Sequence, residues 1–220
     1  LYYQPLPHIL SALLCTALGG PDHAVTAYKL MAFLGIVLQP WAIYVGLRRA
    51  GADRLTAALT GVLAPFLLNP KMGTSLAFGY TVKASLNVGL LTQNWGDLAL
   101  PLAFGELVAL VSRRGKLWTT MLACAGVAAC HMFYAIALVP VAGVLALALP
   151  GVVGNMLRLV AAGAGTAVML LPWQLELAQT QSYFGGWPNS AAERLDGYGW
   201  GTVWNMLIGG AVGPSAKVRL

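Results

Sequence analysis

The chain has 220 residues, of which 58% are hydrophobic and only 9% are charged, and its net charge is +6. Soluble domains carry roughly 25% charged residues, so this composition, with a mean hydropathy of +0.72, excludes an ordinary soluble fold. The positive charge does not indicate nucleic acid binding, because the sequence has no basic stripe with interleaved aromatic residues.

Basic residues concentrate in three short gaps between long apolar runs. The gaps hold one acid, Asp53, and these basic residues: Arg48, Arg49, Arg54, Arg113, Arg114, Lys116 and Arg158. Short cytoplasmic loops of multi-spanning membrane proteins retain Lys and Arg in this way. The pattern therefore predicts that these gaps face the cytoplasm and that the other connections face outside.

The first part of the chain alternates short and long apolar segments. Residues 5–18 are shorter than the roughly 20 residues of a membrane span, so we predict a helix that lies on the outer membrane surface. Residues 24–47 predict the first span, about 36 Å long at about 1.5 Å per residue. Residues 55–69 predict a return span, and residues 71–94 predict an outside loop with partly helical segments at the interface.

The second part predicts four more spans and an outside tail. The spans are expected at 95–112, 117–130, 132–149 and 156–173, and the region 174–220, rich in glycine and aromatic residues, is expected outside. Only helices satisfy the backbone in lipid over runs this long and apolar. We therefore predict an all-α fold, a polytopic transmembrane helix bundle with short juxtamembrane helices on the outer face, as one domain over residues 1–220. Because the chain begins with Leu1 rather than Met, we expect an internal fragment of a longer protein.

Several motifs carry a family resemblance. The sequence Tyr-Tyr-Gln-Pro-Leu-Pro-His at residues 2–8 precedes a short apolar helix and an acidic turn, and Ala-Tyr-Lys-Leu at 27–30 opens a long helix that ends Leu-Arg-Arg-Ala-Gly at 47–51. This order resembles polytopic glycosyltransferases of the GT-C superfamily. It is most similar to bacterial integral membrane proteins labelled 6-pyruvoyl-tetrahydropterin synthase-related. Leu-Leu-Thr-Gln at 90–93, His131 and the glycines from 197 to 210 are also similar.

The resemblance implies a function in the bacterial cytoplasmic membrane. It implies transfer of a sugar from a polyprenyl-phosphate donor on the outer face, by a displacement with or without a divalent metal. Such chemistry needs a carboxylate that deprotonates an acceptor hydroxyl and positive or N–H groups that neutralise the departing phosphate. In GT-C enzymes the principal catalytic carboxylates belong to the first outside loop, which would precede Leu1, so no catalytic residue is assigned here.

Candidate substrate-binding residues lie where the predicted topology meets the outer face. Lys29 and Lys83 could contact a lipid phosphate, but lysines at these positions also snorkel to headgroups or remain solvated. A carboxylate and an imidazole in the outside turn could orient an acceptor, although turns use Asp for local capping as readily. We predict that one outside-facing cavity gathers Tyr3, His8, Asp22, His23, Lys29, Lys83 and His131.

Glu106 is a carboxylate deep in a predicted span and needs a partner or a cavity. Its depth near the cytoplasmic side favours a structural contact or a protonated acid over catalysis.

Two other interpretations of the function remain open at this point. A transporter or flippase would use polar residues and helix breaks near the midplane, and a non-catalytic membrane scaffold would lack the acids altogether. The three cysteines are scattered, so no disulfide framework or cysteine metal site is predicted.

Overall fold

The computed structural model describes residues 5–64 and 91–180, which are helical apart from short connections and contain no strand. The all-α prediction is confirmed for this part of the chain. A single 3₁₀ turn at Pro21–His23 precedes the second helix. The helices are α1 (Pro5–Ala17), α2 (Ala24–Val37), α3 (Gln39–Ala50), α4 (Arg54–Leu63), α5 (Leu91–Val111), α6 (Leu117–Cys130), α7 (Met132–Ala148) and α8 (Val152–Thr180).

Two helices of the described residues, α5 and α8, are long and apolar enough to cross a membrane. The segment from Pro21 to Ala50 is a third candidate only if α2 and α3 count as one span, because their axes bend by 43°. The remaining apolar helices, α1, α4, α6 and α7, are shorter. Length and composition thus identify fewer spans than the sequence predicted.

Some predicted boundaries hold and others need correction. Helices α6 and α7 occupy the predicted segments to within a residue. The segment 24–47, predicted as one span, is divided into two helices, because the helix breaks at Leu38 and α3 starts with proline in its first turn, where the missing N–H is tolerated. Residues 91–94, predicted as the end of an outside loop with partly helical segments, form the first turn of α5.

Other predictions fall partly beyond the described residues. The return span at 55–69 is helical as α4 up to Leu63, and residues 65–90 lie outside the description. Helix α8 begins before and ends after the predicted span at 156–173. Residues 181–220, the larger part of the expected outside region, also lie outside it. The chain divides into two compact units, Leu1–Trp173 and Gln174–Leu220, where the sequence predicted one domain.

Helices α3 and α5 run in parallel and in close contact. Before the break at Leu38, the indole nitrogen of Trp95 donates to the carbonyl of Met31 in α2 at 3.0 Å. Further along, in α3, a Cβ added to Gly46 would collide with the Pro101 carbonyl oxygen. A Cβ added to Gly105 would in turn collide with the backbone of Gly46. Small residues allow this backbone-to-backbone approach, as in membrane helix pairs.

The directions of α6 and α7 follow from their contacts with α5. Thr120, near the start of α6, donates to the Glu106 carbonyl at 3.3 Å, whereas His131, just after α6, lies against Gly96. Helix α6 is therefore antiparallel to α5, and α7, which returns from His131, is parallel to it. The apolar core between these three helices is formed by Ala103, Leu107, Val127 and Leu138.

Arginines gather at one end of this bundle, which we call the basic end. Arg114 donates to the Ala50 carbonyl at 2.9 Å and so joins the ends of α3 and α5. The Arg113 guanidinium lies beside Gly151, after α7. The opposite end is formed by the start of α5 and the end of α6. The charge asymmetry of the sequence thus becomes an asymmetry between two ends of the helix bundle.

Candidate functional site

Polar side chains are buried on the first turns of α5, at the opposite end. Gln93 and Asn94 are at most 5% exposed, and Asp97 is fully buried. Residues separated by three or four positions lie on one face of a helix, so all three side chains belong to one polar face.

Helix α7 adds an aromatic side to this face. The absence of a side chain at Gly96 makes room, since an added Cβ would lie 2.6 Å from His131 Cβ and 2.8 Å from Tyr134 Cδ2. The His131 and Tyr134 rings contact each other with centroids 4.2 Å apart. The Tyr134 hydroxyl interacts with both Asp97 and Gln93, although its contact with the carboxylate is not a hydrogen bond of standard geometry.

Helix α3 contributes a third polar residue, Gln39, which is fully buried. Its height follows from its neighbours along the chain. Gly35 abuts Asn94, and Gly46 abuts Pro101. Because the helices are parallel, Gln39 lies at the height of the α5 turn between Asn94 and Pro101, which contains Asp97.

An apolar groove of about 490 Å³ opens next to these residues. A volume of this size suits one small ligand or part of a larger one. The groove is lined by Ile43, Ala64, Leu100, Pro101, Phe104, Ala137, Leu138 and Val141.

The polar residues and the groove are related by helical spacing. In α3, Gln39 precedes the groove residue Ile43 by one turn, and in α5, Asp97 precedes Pro101 by one turn. In α7, Tyr134 stands in the same relation to Leu138. Since the three helices are parallel, these polar side chains lie on the side of the groove that is nearer the opposite end. We call Gln39, Asp97 and Tyr134 the polar rim.

Several rim atoms lack partners. Among the described residues, neither carboxylate oxygen of Asp97 accepts a hydrogen bond of standard geometry, and the Gln39 amide is unpaired at both its oxygen and its nitrogen. Asn94 Oδ1, one turn before Asp97, is also unpaired. Buried polar atoms without partners cost about 1–3 kcal/mol each, so the rim is suited to receive a polar ligand.

The seven candidate residues from the sequence are placed differently. Tyr3 and Lys83 lie outside the described residues. Asp22 and His23 are exposed in the turn before α2, Lys29 is exposed on α2, and His8 is half-buried on α1. His131 contacts Tyr134 and therefore adjoins the rim. A common cavity for all seven stays a prediction.

Sequence reasoning missed the rim itself. Starting the span at Trp95 left Gln93 and Asn94 in a loop and separated them from Asp97. A helix started at Leu91 would have placed Gln93, Asn94 and Asp97 on one face. Gln39 and Tyr134 give no comparable signal, because their convergence depends on contacts between helices.

Glu106 has the structural contact that its depth suggested. Its carboxylate forms an ion pair with Arg49 at 2.6 Å and accepts a hydrogen bond from the Thr119 hydroxyl at 2.7 Å. These partners lie at the basic end, away from the rim. Among the described residues, no three His, Cys, Asp or Glu side chains are grouped so that they could hold a metal ion.

Comparisons of the chain with protein-family models, with curated proteins and with solved structures find no match.

Proposed function

We propose that the protein is a multi-pass protein of the bacterial cytoplasmic membrane that acts as a glycosyltransferase of the GT-C type. It transfers a sugar from a polyprenyl-phosphate donor on the outer face to an acceptor hydroxyl. The observation that carries the proposal is the apolar groove with its polar rim. An apolar groove with polar side chains one helical turn away fits an amphipathic, lipid-linked substrate. These polar side chains lie on the side of the groove away from the basic end, which is the outer side by the positive-inside rule.

The described residues have distinct tasks in this proposal. The groove side chains exclude water from a lipid chain, and the rim binds the polar part of the substrate. Asp97 can accept a hydrogen bond from a substrate hydroxyl and orient it. Lys29, exposed on α2, is suited to the donor phosphate, since charge-assisted hydrogen bonds to phosphate are the stronger kind.

Reconstitution of the full-length protein into vesicles tests the proposal. A polyprenyl-phosphate sugar with a radiolabelled sugar is supplied together with lipid acceptors, and product is separated by thin-layer chromatography. We expect transfer, and we expect the L100W variant, which fills the groove, to lose it, while the matched V153W variant on the exposed face of α8 retains it. Equal transfer by L100W and the wild type would show that the groove takes no part in the reaction.

A second candidate, a transporter or flippase, is favoured by the helix break. The axis bends by 43° between α2 and α3, and the buried Gln39 stands at this break. Transporters place polar groups at interrupted helices in this way. In the same vesicles, a flippase would move the labelled lipid between leaflets without forming a glycosylated product, so the two readouts separate the candidates.

A further inference from the structure

We infer that the groove binds the acceptor rather than the donor, and that the acceptor is a lipid whose polar end is uncharged and carries hydroxyl groups. The inference rests on the proposed function, because it assumes that the protein handles lipid-linked substrates. The unpaired atoms of the polar rim are mainly hydrogen-bond acceptors, and this property assigns the groove and the rim to the acceptor substrate.

The rim offers mainly acceptors of hydrogen bonds. Both oxygens of Asp97, the side-chain oxygen of Gln39 and Asn94 Oδ1 are buried and, among the described residues, receive no hydrogen bond of standard geometry. A ligand that satisfies them must donate several hydrogen bonds. Hydroxyl groups can do so, whereas an ionised phosphate has only acceptor atoms.

The backbone adds one more acceptor at the same place. In a regular helix the N–H of residue 101 would donate to the carbonyl of Asp97, but residue 101 is proline and has no N–H. The carbonyl of Asp97 therefore loses its usual helical donor one turn from the groove. The side chain and the main chain of one residue thus present acceptors together.

The charges around the groove disfavour an anionic head. Arg48 and Arg49, the basic residues of α3, lie in its last turn at the basic end, and neither α5 nor α7 contains a basic residue. A phosphate at the rim would be buried without a cation from α3, α5 or α7 at the same height, and an uncompensated charge in a buried site is costly. An uncharged hydroxyl-bearing head avoids this cost.

Photoaffinity labelling in nanodiscs tests the assignment. The full-length protein is mixed with one of two probes that share a decyl chain with a diazirine and differ in the head: a β-glucoside or a phosphate. Cross-linked peptides that contain Phe104 or Val141 are quantified by mass spectrometry. We expect at least tenfold more labelling of these peptides by the glucoside probe.

The D97N variant distinguishes a specific head contact from a merely apolar groove. Asn keeps the size of the side chain but replaces one acceptor oxygen with a donor, so the glucoside preference should fall to about threefold or less. The matched D53N variant, at the basic end, should keep the preference of the wild type. A thermal melt of each variant verifies that it is folded.

The outcomes separate the inference from the proposed function. Equal or stronger labelling of the groove by the phosphate probe overturns the inference but leaves a lipid site in place. A glucoside preference that is unchanged in D97N also overturns it. If neither probe labels the groove peptides in folded protein, the groove is not a lipid site, and the proposed function fails together with the inference.

Discussion

Arg49 and Glu106 join α3 to α5 through two hydrogen bonds between their side chains. Arg49 Nε lies 2.6 Å from Glu106 Oε1, and Arg49 Nη2 lies 3.3 Å from Oε2. Asp97 is on the same helix, yet no described residue gives its carboxylate a hydrogen bond of standard geometry. One helix thus carries two acidic side chains in opposite circumstances, one that joins two helices and one that our proposal assigns to a ligand.

The two carboxylates should therefore respond differently to replacement by the neutral amide. The E106Q variant loses the ion pair. We expect the free energy of unfolding to fall by only about 1 kcal/mol, because Arg49 is partly solvated and water screens its attraction to Glu106. The D97N variant replaces a buried carboxyl group that has no cationic partner among the described residues, so we expect unchanged or increased stability. Thermal unfolding in one detergent compares them; a larger loss for D97N than for E106Q would show that Asp97 is a structural residue.

The contact between α3 and α5 should depend on Gly46. A Cβ at this position would collide with the Pro101 carbonyl, and backbone cannot move aside as a flexible side chain can. We expect G46A to destabilise the protein by about 1–3 kcal/mol. Gly143 in α7 is the matched control, because a Cβ there would meet nothing within 4 Å. G143A should be neutral or slightly stabilising, as alanine favours helix. Similar unfolding midpoints for the two variants would contradict the close approach.

The start of α4 should be sensitive to acid. Asp53 is the N-cap, and its Oδ1 accepts a hydrogen bond from the Thr56 amide at 2.9 Å. Hydrogen bonds from the Thr56 hydroxyl and amide hold the pKa of Asp53 below its usual value. The capping contribution is therefore present above about pH 4, the usual pKa of Asp, and is lost as the pH falls through the lowered pKa.

The D53N variant isolates this effect, because Asn caps a helix as well as Asp does but does not titrate. Unfolding midpoints are measured at pH 7, 4 and 3. We expect the wild type to lose more stability than D53N on acidification. Parallel pH profiles would exclude a titrating cap.

The proposed orientation can be checked with single cysteines in a cysteine-free background. We expect cysteines at Arg49, Arg114 and Gly154 to react only after the membrane is permeabilised. A cysteine at Asp22 should react in intact cells with an impermeant maleimide. Labelling of the first group from outside would reverse the topology and place the polar rim towards the cytoplasm.

Local signals in the sequence predicted much of the fold. The bounds of α6 and α7 could be predicted from sequence. Basic residues mark the start of α6 before Leu117, and His131 separates the two uniformly apolar runs. The break at Leu38 was missed because hydropathy stays high across it, although Pro40 is the kind of residue that marks the first turn of a new helix. The candidate site depends on longer-range geometry. The polar rim lies at one height because of the register between three helices. Contacts at Gly46 and Gly96 determine this register, and no local sequence pattern encodes it.

The contact between Gly46 and Gly105 also determines where the groove can adapt. The walls formed by α3 and α5 meet through main-chain atoms. The distance between these two helices therefore cannot change through a change of side-chain rotamer. The wall formed by α7 packs through side chains such as Leu138, and Pro140 removes one of its internal hydrogen bonds. In the proposed lipid site, the capacity to adapt to ligands of different width is therefore concentrated in α7, and substitutions that alter the range of accepted ligands should cluster on that helix.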